Sequence, residues 1–162
     1  MDKAVTLSDA IAFKHGIRPQ MVDRSDPLEL QAAWKFYQVG GDDRYSKQEF
    51  YELTRQVRAL HFFLMSEIDE TMQAGFGIEL WDGGGTNCLY FAAAEGRRDV
   101  MKRCAEPTVA VIEDIAVRWA GIHGVKPELL LIGRPGWKRI LRRLGIVRQS
   151  DGLIFHDQER FQ

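Results

Sequence analysis

The chain has 162 residues, of which 45% are hydrophobic and 28% are charged, and its formal net charge is −1. These values are typical of one globular domain and exclude a disordered or low-complexity chain. The longest apolar run, Cys88–Ala94, is far shorter than the ~18 residues of a membrane span, and the first residues carry no secretory signal. Two cysteines form neither a disulfide framework nor a four-ligand zinc site, and the four scattered histidines lack metal-ligand spacing, so we expect no metal.

The first 75 residues are predicted to form a helical segment, with helices over 8–15, 27–38 and 47–74. The second helix begins at Pro27, because proline at the first helical position loses no hydrogen bond. Ser46 and Glu49 form a capping box for the third. Apolar residues recur every three or four positions behind that box, which predicts one long amphipathic helix.

From residue 76 the apolar residues no longer recur every three or four positions but alternate as in a strand. The predicted elements are strands over 76–81 and 87–94, a helix over 107–123, a strand over 128–132, a helix over 134–144, and a closing hairpin over 146–149 and 153–156. A glycine-rich turn joins the first two strands, and an apolar run typical of a buried central strand forms the third. The sequence therefore predicts an α/β (α+β) fold in which a mixed, mostly antiparallel sheet is flanked by helices. Residues 1–75 and 76–162 are expected to pack as one domain.

This order of elements resembles the core of the GNAT acyltransferases. The best local match is Leu129–Ile146, where an aliphatic strand, a Gly-Arg-Pro-Gly turn and a basic helix end in Gly-Ile. The resemblance implies a GNAT-like sheet. For an active member it implies an acyl-CoA-dependent N-acetyltransferase that uses acetyl-CoA.

The segment that would bind CoA departs from the GNAT pattern. Members of that family hold the CoA pyrophosphate on a loop of the form Arg/Gln-x-x-Gly-x-Gly/Ala, where amides at a helix N-terminus contact phosphate oxygens. Residues 95–106 contain one glycine here, so the residues left for CoA are Gly96, Arg97 and Arg98. The family's asparagine and its acid tyrosine fall on Arg134 and Leu141, and leucine cannot protonate a leaving thiolate. The leading interpretation therefore has no catalytic residue and no cofactor.

A narrower resemblance is to small virion proteins of short-tailed bacteriophages that are built like a degenerate acetyltransferase. The shared features include Gly75-Phe76, the Gly83–Gly85 turn, Cys88–Phe91 and Gly145-Ile146. This resemblance implies a non-catalytic structural protein that acts by protein–protein interaction in virion assembly. Its expected partners are other virion or assembly proteins, and its expected place is the virion, or the host cytoplasm before assembly.

A basic segment near the C-terminus is the candidate surface for an anion or a partner. Its cationic residues without a neighbouring acid include Arg134, Lys138, Arg139, Arg142 and Arg143. Guanidinium groups bind phosphate bidentately, so the segment suits an acidic partner or packaged nucleic acid without base specificity, although an ordinary solvated helix face explains it equally well. Three functions stay open: a virion docking protein, an active GNAT enzyme, and a small phage-encoded regulator or inhibitor of a host protein.

Two side chains of the predicted hairpin have the chemistry of catalytic groups. Glu79 lies where the base of an acetyltransferase would be placed, but a lone carboxylate on a strand is more typical of a solvent-facing residue. Cys88 lies in a strand that we expect to be half buried, which favours a structural thiol over a nucleophile.

Overall fold

The computed structural model describes residues 15–41, 43–97, 99–131 and 154–157. The strands are β1 (Ile17–Met21), β2 (Ala59–Ser66), β3 (Met72–Leu80), β4 (Thr86–Ala93), β5 (Glu128–Leu131) and β6 (Ile154–Asp157), and the helices are α1 (Pro27–Gly40), α2 (Lys47–Arg55) and α3 (Val100–His123). The strands form one sheet in chain order. Neighbours are antiparallel from β1 to β4, whereas β5 is parallel to both β4 and β6. This is the mixed, mostly antiparallel sheet that the sequence predicts, in the order expected from the GNAT resemblance.

Local sequence signals set the two N-terminal helices. The Asp26 side chain accepts a hydrogen bond from the Leu28 amide at the start of α1, and Pro27 occupies the first turn. At the start of α2, Ser46 and Glu49 form the predicted capping box reciprocally. Both predicted helix starts are therefore confirmed.

The predicted long helix over 47–74 is wrong beyond residue 55. Val57 adopts a left-handed backbone conformation with φ +56°, and the chain continues as β2 and then as the start of β3. The run Leu60–Met65 is almost wholly apolar, so it fits a helix face and a strand buried on both sides equally well. Packing decides in favour of the strand, because both sides of β2 are covered.

The expectation of a helical segment over residues 1–75 is corrected in the same way. β1 lies between the predicted helices over 8–15 and 27–38, where no strand was predicted, and it pairs antiparallel with β2 along its whole length. The first 75 residues thus contribute β1, β2 and the beginning of β3 to the sheet that the later strands complete. The predicted helix over 8–15 lies outside the described residues except for His15, which bonds Glu106 of α3 at 2.8 Å.

Helix α3 is longer than predicted, because it begins at Val100 and contains Pro107. Proline removes one helical hydrogen bond and costs about 3 kcal/mol in a helix interior. Residues on both sides of it are nonetheless buried, with Cys104 fully buried before the proline and Val109 5% exposed after it. Burial of these residues outweighs the local cost, so the helix runs through the proline.

The helices cover the two faces of the sheet separately. Helix α3 packs on one face, where the core includes Phe62, Leu64, Phe76, Ile78 and Leu129. Helices α1 and α2 pack on the other face, where the core is rich in aromatic rings: Phe36, Tyr37, Phe50, Phe63 and Tyr90. In the part of the chain that the structure describes, no helix is long and apolar enough to cross a bilayer. The predicted strand over 128–132 is confirmed as β5, whereas the helix over 134–144 and the strand over 146–149 lie outside the described residues.

Candidate active site

The sheet contains a fork between its two central parallel strands. Among the described residues, β4 and β5 pair at Thr86 with Leu129 and at Asn87 with Leu130. β4 continues to Ala93, and the described part of β5 reaches Leu131. The pairing that the structure describes therefore covers only the first residues of β4, and we call the space beyond it the fork. A crevice beyond the carboxyl ends of parallel strands is a common place for a ligand in α/β proteins.

A β-bulge interrupts β4 at the fork. Tyr90 pairs with Gly77 and Cys88 pairs with Ile78, so Leu89 is an extra residue without a counterpart on β3. A bulge bends its strand and redirects the following side chains, and bulges are frequent next to active sites. The bulge lies two residues after Asn87, the last residue of β4 for which the structure describes a pair on β5.

The loop between β4 and α3 holds the residues predicted to bind CoA. Gly96 has φ +76°, which turns the chain, and both Gly96 and Arg97 are exposed. Asp99 at the N-cap of α3 makes no side-chain capping bond, and the first turn of that helix carries no acid. Arg98 lies outside the described residues. The loop therefore combines an exposed cation with the start of a long helix.

An acidic turn lies within electrostatic range of Arg97. Asp69, in the turn between β2 and β3, accepts hydrogen bonds from the hydroxyl and amide of Thr71. Those bonds, and to a smaller extent the charge of Arg97, hold the pKa of Asp69 below its ordinary value of 3.8. The acidic turn between β2 and β3 and the loop that carries Arg97 therefore lie close enough for their charges to interact.

The end of β3 places a buried carboxylate beneath the loop that joins α1 to α2. Glu79 is 3% exposed. Its oxygens accept hydrogen bonds from Trp81 Nε1 at 2.6 Å, from Asn87 Nδ2 at 3.2 Å and from the Tyr45 hydroxyl, and Arg44 lies 3.1 Å away. The expectation of a solvent-facing Glu79 is therefore wrong, because the loop carrying Arg44 and Tyr45 folds over it.

These contacts keep Glu79 ionised. Burial by itself would raise the pKa of the carboxyl group. The hydrogen bonds from Tyr45 and Trp81 and the charge of Arg44 outweigh that effect and hold its pKa below the ordinary value of 4.5. A carboxylate with a lowered pKa and several donors on its oxygens is a weak proton acceptor, so its geometry suits holding a cation better than acting as a general base.

A second buried polar group, His61 on β2, lies on the same face. Its Nε2 is 2.8 Å from the Thr54 hydroxyl, which already donates to the Phe50 carbonyl at 2.9 Å. Nε2 therefore carries the proton and donates to Thr54, and Nδ1 accepts from the Tyr90 hydroxyl at 3.0 Å. Burial lowers the pKa of His61 to about 3, so the imidazole is neutral at physiological pH.

Gly77 makes this arrangement possible. It lies on β3 between His61 of β2 and Tyr90 of β4 in the cross-strand register. A Cβ at that position would lie 2.3 Å from Tyr90 Cε1 and 3.0 Å from His61 Nδ1. The two side chains meet across β3 only because residue 77 has none.

The cysteines are unsuited to nucleophilic catalysis. Cys88 is 2% exposed, as expected of a structural thiol, and burial raises its pKa to about 12. Burial also raises the pKa of Cys104 to about 11. Neither thiol forms the reactive thiolate at neutral pH. Among the described residues, no group of three or more His, Cys, Asp and Glu side chains has the geometry to hold a metal ion.

Two cavities flank the helices on the α1–α2 face. The first, of about 450 Å³, lies between the end of β1 and the start of β2, and Thr54 and His61 contribute to its wall. The second, of about 540 Å³, lies between α1 and the end of β4, and Phe36, Met72, Ala93 and Glu95 line it. The second cavity therefore borders the loop that leads to α3.

The predicted anion-binding surface is not among the described residues. All five of its residues lie outside the described ranges: Arg134, Lys138, Arg139, Arg142 and Arg143. The structure therefore brings together only Gly96 and Arg97 of the predicted site residues. The Glu79 cluster was not predicted, because its partners Arg44 and Asn87 are distant in sequence and meet only through the sheet.

Comparison with known proteins finds likeness in structure alone. No protein-family description and no curated sequence matches the chain. Among solved structures, a ribosomal-protein-alanine N-acetyltransferase from Brucella melitensis biovar Abortus 2308 matches 86% of this chain and 98% of its own, at 10% identity and TM-score 0.48. A predicted acetyltransferase from Clostridium acetobutylicum, solved with acetyl-CoA, matches 89% and 97%, at 9% identity and TM-score 0.47.

A mutant spermidine N-acetyltransferase from Vibrio cholerae matches 83% of this chain and 81% of its own, at 9% identity and TM-score 0.47. All three scores lie below 0.5, so the GNAT-like description of the fold rests on the strand order and the forked parallel pair. Nothing in these comparisons links the chain to bacteriophage virion proteins.

Proposed function

We propose that this protein is an acyltransferase that binds an acyl-CoA in the fork between β4 and β5. The observation that carries the proposal is that, among the described residues, these parallel strands pair only at the start of β4, and that a bulge at Leu89 follows directly. A fork of this kind accepts an extended ligand between two strands. The exposed Arg97 beside the start of α3 supports the binding of phosphate groups at its open end.

The described side chains suit orientation better than proton transfer. In acyl transfer, an acceptor nitrogen bonds to the thioester carbonyl carbon, the C–S bond breaks, and the nitrogen loses a proton as the thiolate gains one. Glu79 is a weak base, the pKa of Cys88 is raised to about 12, and burial raises that of Tyr90 well above 10. Alignment of the two reactants is therefore the contribution that this geometry supports, and alignment alone supplies a large part of a rate enhancement.

Thermal unfolding with and without millimolar acetyl-CoA tests the proposal. A ligand at ~100 times its dissociation constant stabilises the folded state by about 2.7 kcal/mol. For a domain of this size we expect Tm to rise by on the order of 5–10 °C. Release of free CoA on addition of an amine, measured with a thiol reagent, then reports turnover.

A pair of variants locates the phosphate contact. Arg97→Gln combined with Arg98→Gln is expected to abolish most of the rise in Tm. Arg118→Gln is the matched control, because Arg118 is an exposed arginine of α3 whose ion pair with Asp114 lies far along the helix. A well-folded protein with no acetyl-CoA response would contradict the acyltransferase proposal. Docking in a phage virion, or regulation of a host protein, would then be the remaining hypotheses.

A further inference from the structure

Glu79 is a buried anion whose cationic partner is partly exposed. Its side chain is 4% exposed, whereas the Arg44 side chain paired with it is 36% exposed. Arg44 belongs to the loop between α1 and α2, next to Asp43, whose φ of +61° is left-handed. The positive partner of this carboxylate is thus supplied from a surface loop, whereas the carboxylate itself belongs to the sheet.

The groups around Glu79 are those that recognise organic cations. The guanidinium carbon of Arg44 lies 5.1 Å from the centre of the Tyr45 ring, within cation–π distance. Trp81 and Asn87 donate to the carboxylate from the ends of β3 and β4 and fix its orientation. The Tyr45 amide donates to the Tyr37 hydroxyl at 3.0 Å, and this hydrogen bond holds the backbone that carries the Tyr45 ring in place. Arg44 is exposed and Tyr45 and Trp81 are half-buried, so these three side chains form the solvent-facing side of the site.

We propose that Glu79, Tyr45 and Trp81 form a binding site for an alkylguanidinium or primary ammonium ligand, and that Arg44 fills this site in the unliganded protein. Among the described residues, Asn87 is both a partner of Glu79 and the last residue of β4 that pairs with β5. The site therefore lies at the closed end of the fork. The inference rests on these contacts alone, and it stands whether or not the protein transfers acyl groups.

A cation from solution has to compete with the guanidinium group of Arg44, which is attached to the protein. A side chain on a short loop has an effective concentration in the millimolar range, so the wild-type protein binds a free guanidinium weakly. Removal of Arg44 removes this competitor. We expect Arg44→Ala to bind propylguanidinium on the order of tenfold more tightly than the wild type.

The experiment is a titration of the full chain with propylguanidinium at low millimolar concentration. Binding is followed by Tm and by tryptophan fluorescence, because the Trp81 indole contacts the site directly. Arg44→Ala is expected to have a lower Tm than the wild type, because it leaves a buried carboxylate without its cation. Propylguanidinium should restore that Tm, and the neutral isostere propylurea should not.

Two further variants separate a ligand site from a structural ion pair. Arg55→Ala removes an exposed arginine paired with Glu52 on α2, and we expect no cation-specific change in Tm. In Arg44→Ala combined with Glu79→Gln, the charge that binds the cation is absent, so the response to propylguanidinium should disappear. If Arg44→Ala does not fold, Arg44→Gln, which keeps a donor for Glu79, takes its place in the titration. Equal responses to propylguanidinium and propylurea, or none to either, would overturn the proposal.

Discussion

Gly40→Ala is expected to destabilise the protein by about 3 kcal/mol, at the upper end of the usual cost of overpacking a core. Gly40 is the last residue of α1, where the helix lies directly against β4. A Cβ at this position would lie 2.3 Å from the Phe91 carbonyl oxygen and 2.8 Å from its carbon. Backbone atoms of a central strand cannot move aside as a flexible side chain can, so the helix or the strand has to shift.

The matched control for this variant is Gly121→Ala in α3. Gly121 is also a helical glycine, but among the described residues no atom outside the adjacent turns of α3 lies within 4 Å of a Cβ added there. Alanine has the higher helix propensity, so this substitution should stabilise the protein by ~0.5–1 kcal/mol. Urea unfolding at pH 7 measures both changes. Equal free energies of unfolding for the two variants would contradict the close packing of α1 on β4.

Acidification from pH 7 to pH 5 is expected to cost the wild-type protein about 2 kcal/mol of unfolding free energy through His61 alone. The folded-state pKa of this histidine is about 3, because burial disfavours the imidazolium, whereas an unfolded chain titrates near 6.5. Between those values the unfolded state binds a proton that the folded state does not. Stability is therefore complete above pH 6.5 and decreases as pH falls, by about 1.4 kcal/mol per pH unit.

His61→Gln tests this assignment, because glutamine does not titrate. Urea unfolding measures how much unfolding free energy is lost between pH 7 and pH 5. This loss should be about 2 kcal/mol smaller in the variant than in the wild type, whatever the stability of the variant at pH 7. The control is His123→Gln at an exposed position of α3, which should keep the pH dependence of the wild type. The same dependence in His61→Gln and the wild type would show that His61 is not buried as a neutral imidazole. Ordinary carboxylates titrate below this window, so they contribute little to the comparison.

Local signals in the sequence determined the elements that neighbouring residues can specify. Pro27 and the Ser46–Glu49 capping box set the starts of α1 and α2, because each satisfies backbone groups within one turn. The glycine-rich turn and the strands beside it predicted the β3–β4 hairpin, since the pattern and the turn lie within one continuous stretch. The same holds for the apolar run of β5, which lies within one continuous stretch, whereas its parallel pairing with β4 is seen only in the structure.

The tertiary structure decided the identity of segments whose pattern was ambiguous. The apolar run of β2 fitted a helix and a strand, and its burial between two layers of helices made it a strand. β1 carries exposed polar residues and a proline, so only its pairing with β2 reveals it. Pro27 begins a helix, whereas Pro107 lies inside one, because burial of the preceding turns outweighs the missing hydrogen bond.

Some residues of the candidate site could likewise be predicted from local sequence, whereas others could not. The loop with Gly96 and Arg97 was visible in the sequence, because a glycine and adjacent cations stand together in the chain. Glu79 bonds Asn87 and Arg44, which lie 8 and 35 positions away, and His61 bonds Tyr90, which lies 29 positions away, so no local pattern signals these contacts. The sequence by itself therefore determined the fold class, the helix caps and the hairpin, which depend on interactions within a few residues. Strand register sets the fork, the burial of Glu79 and the contact of His61 with Tyr90 across Gly77. That register is fixed only when the sheet assembles.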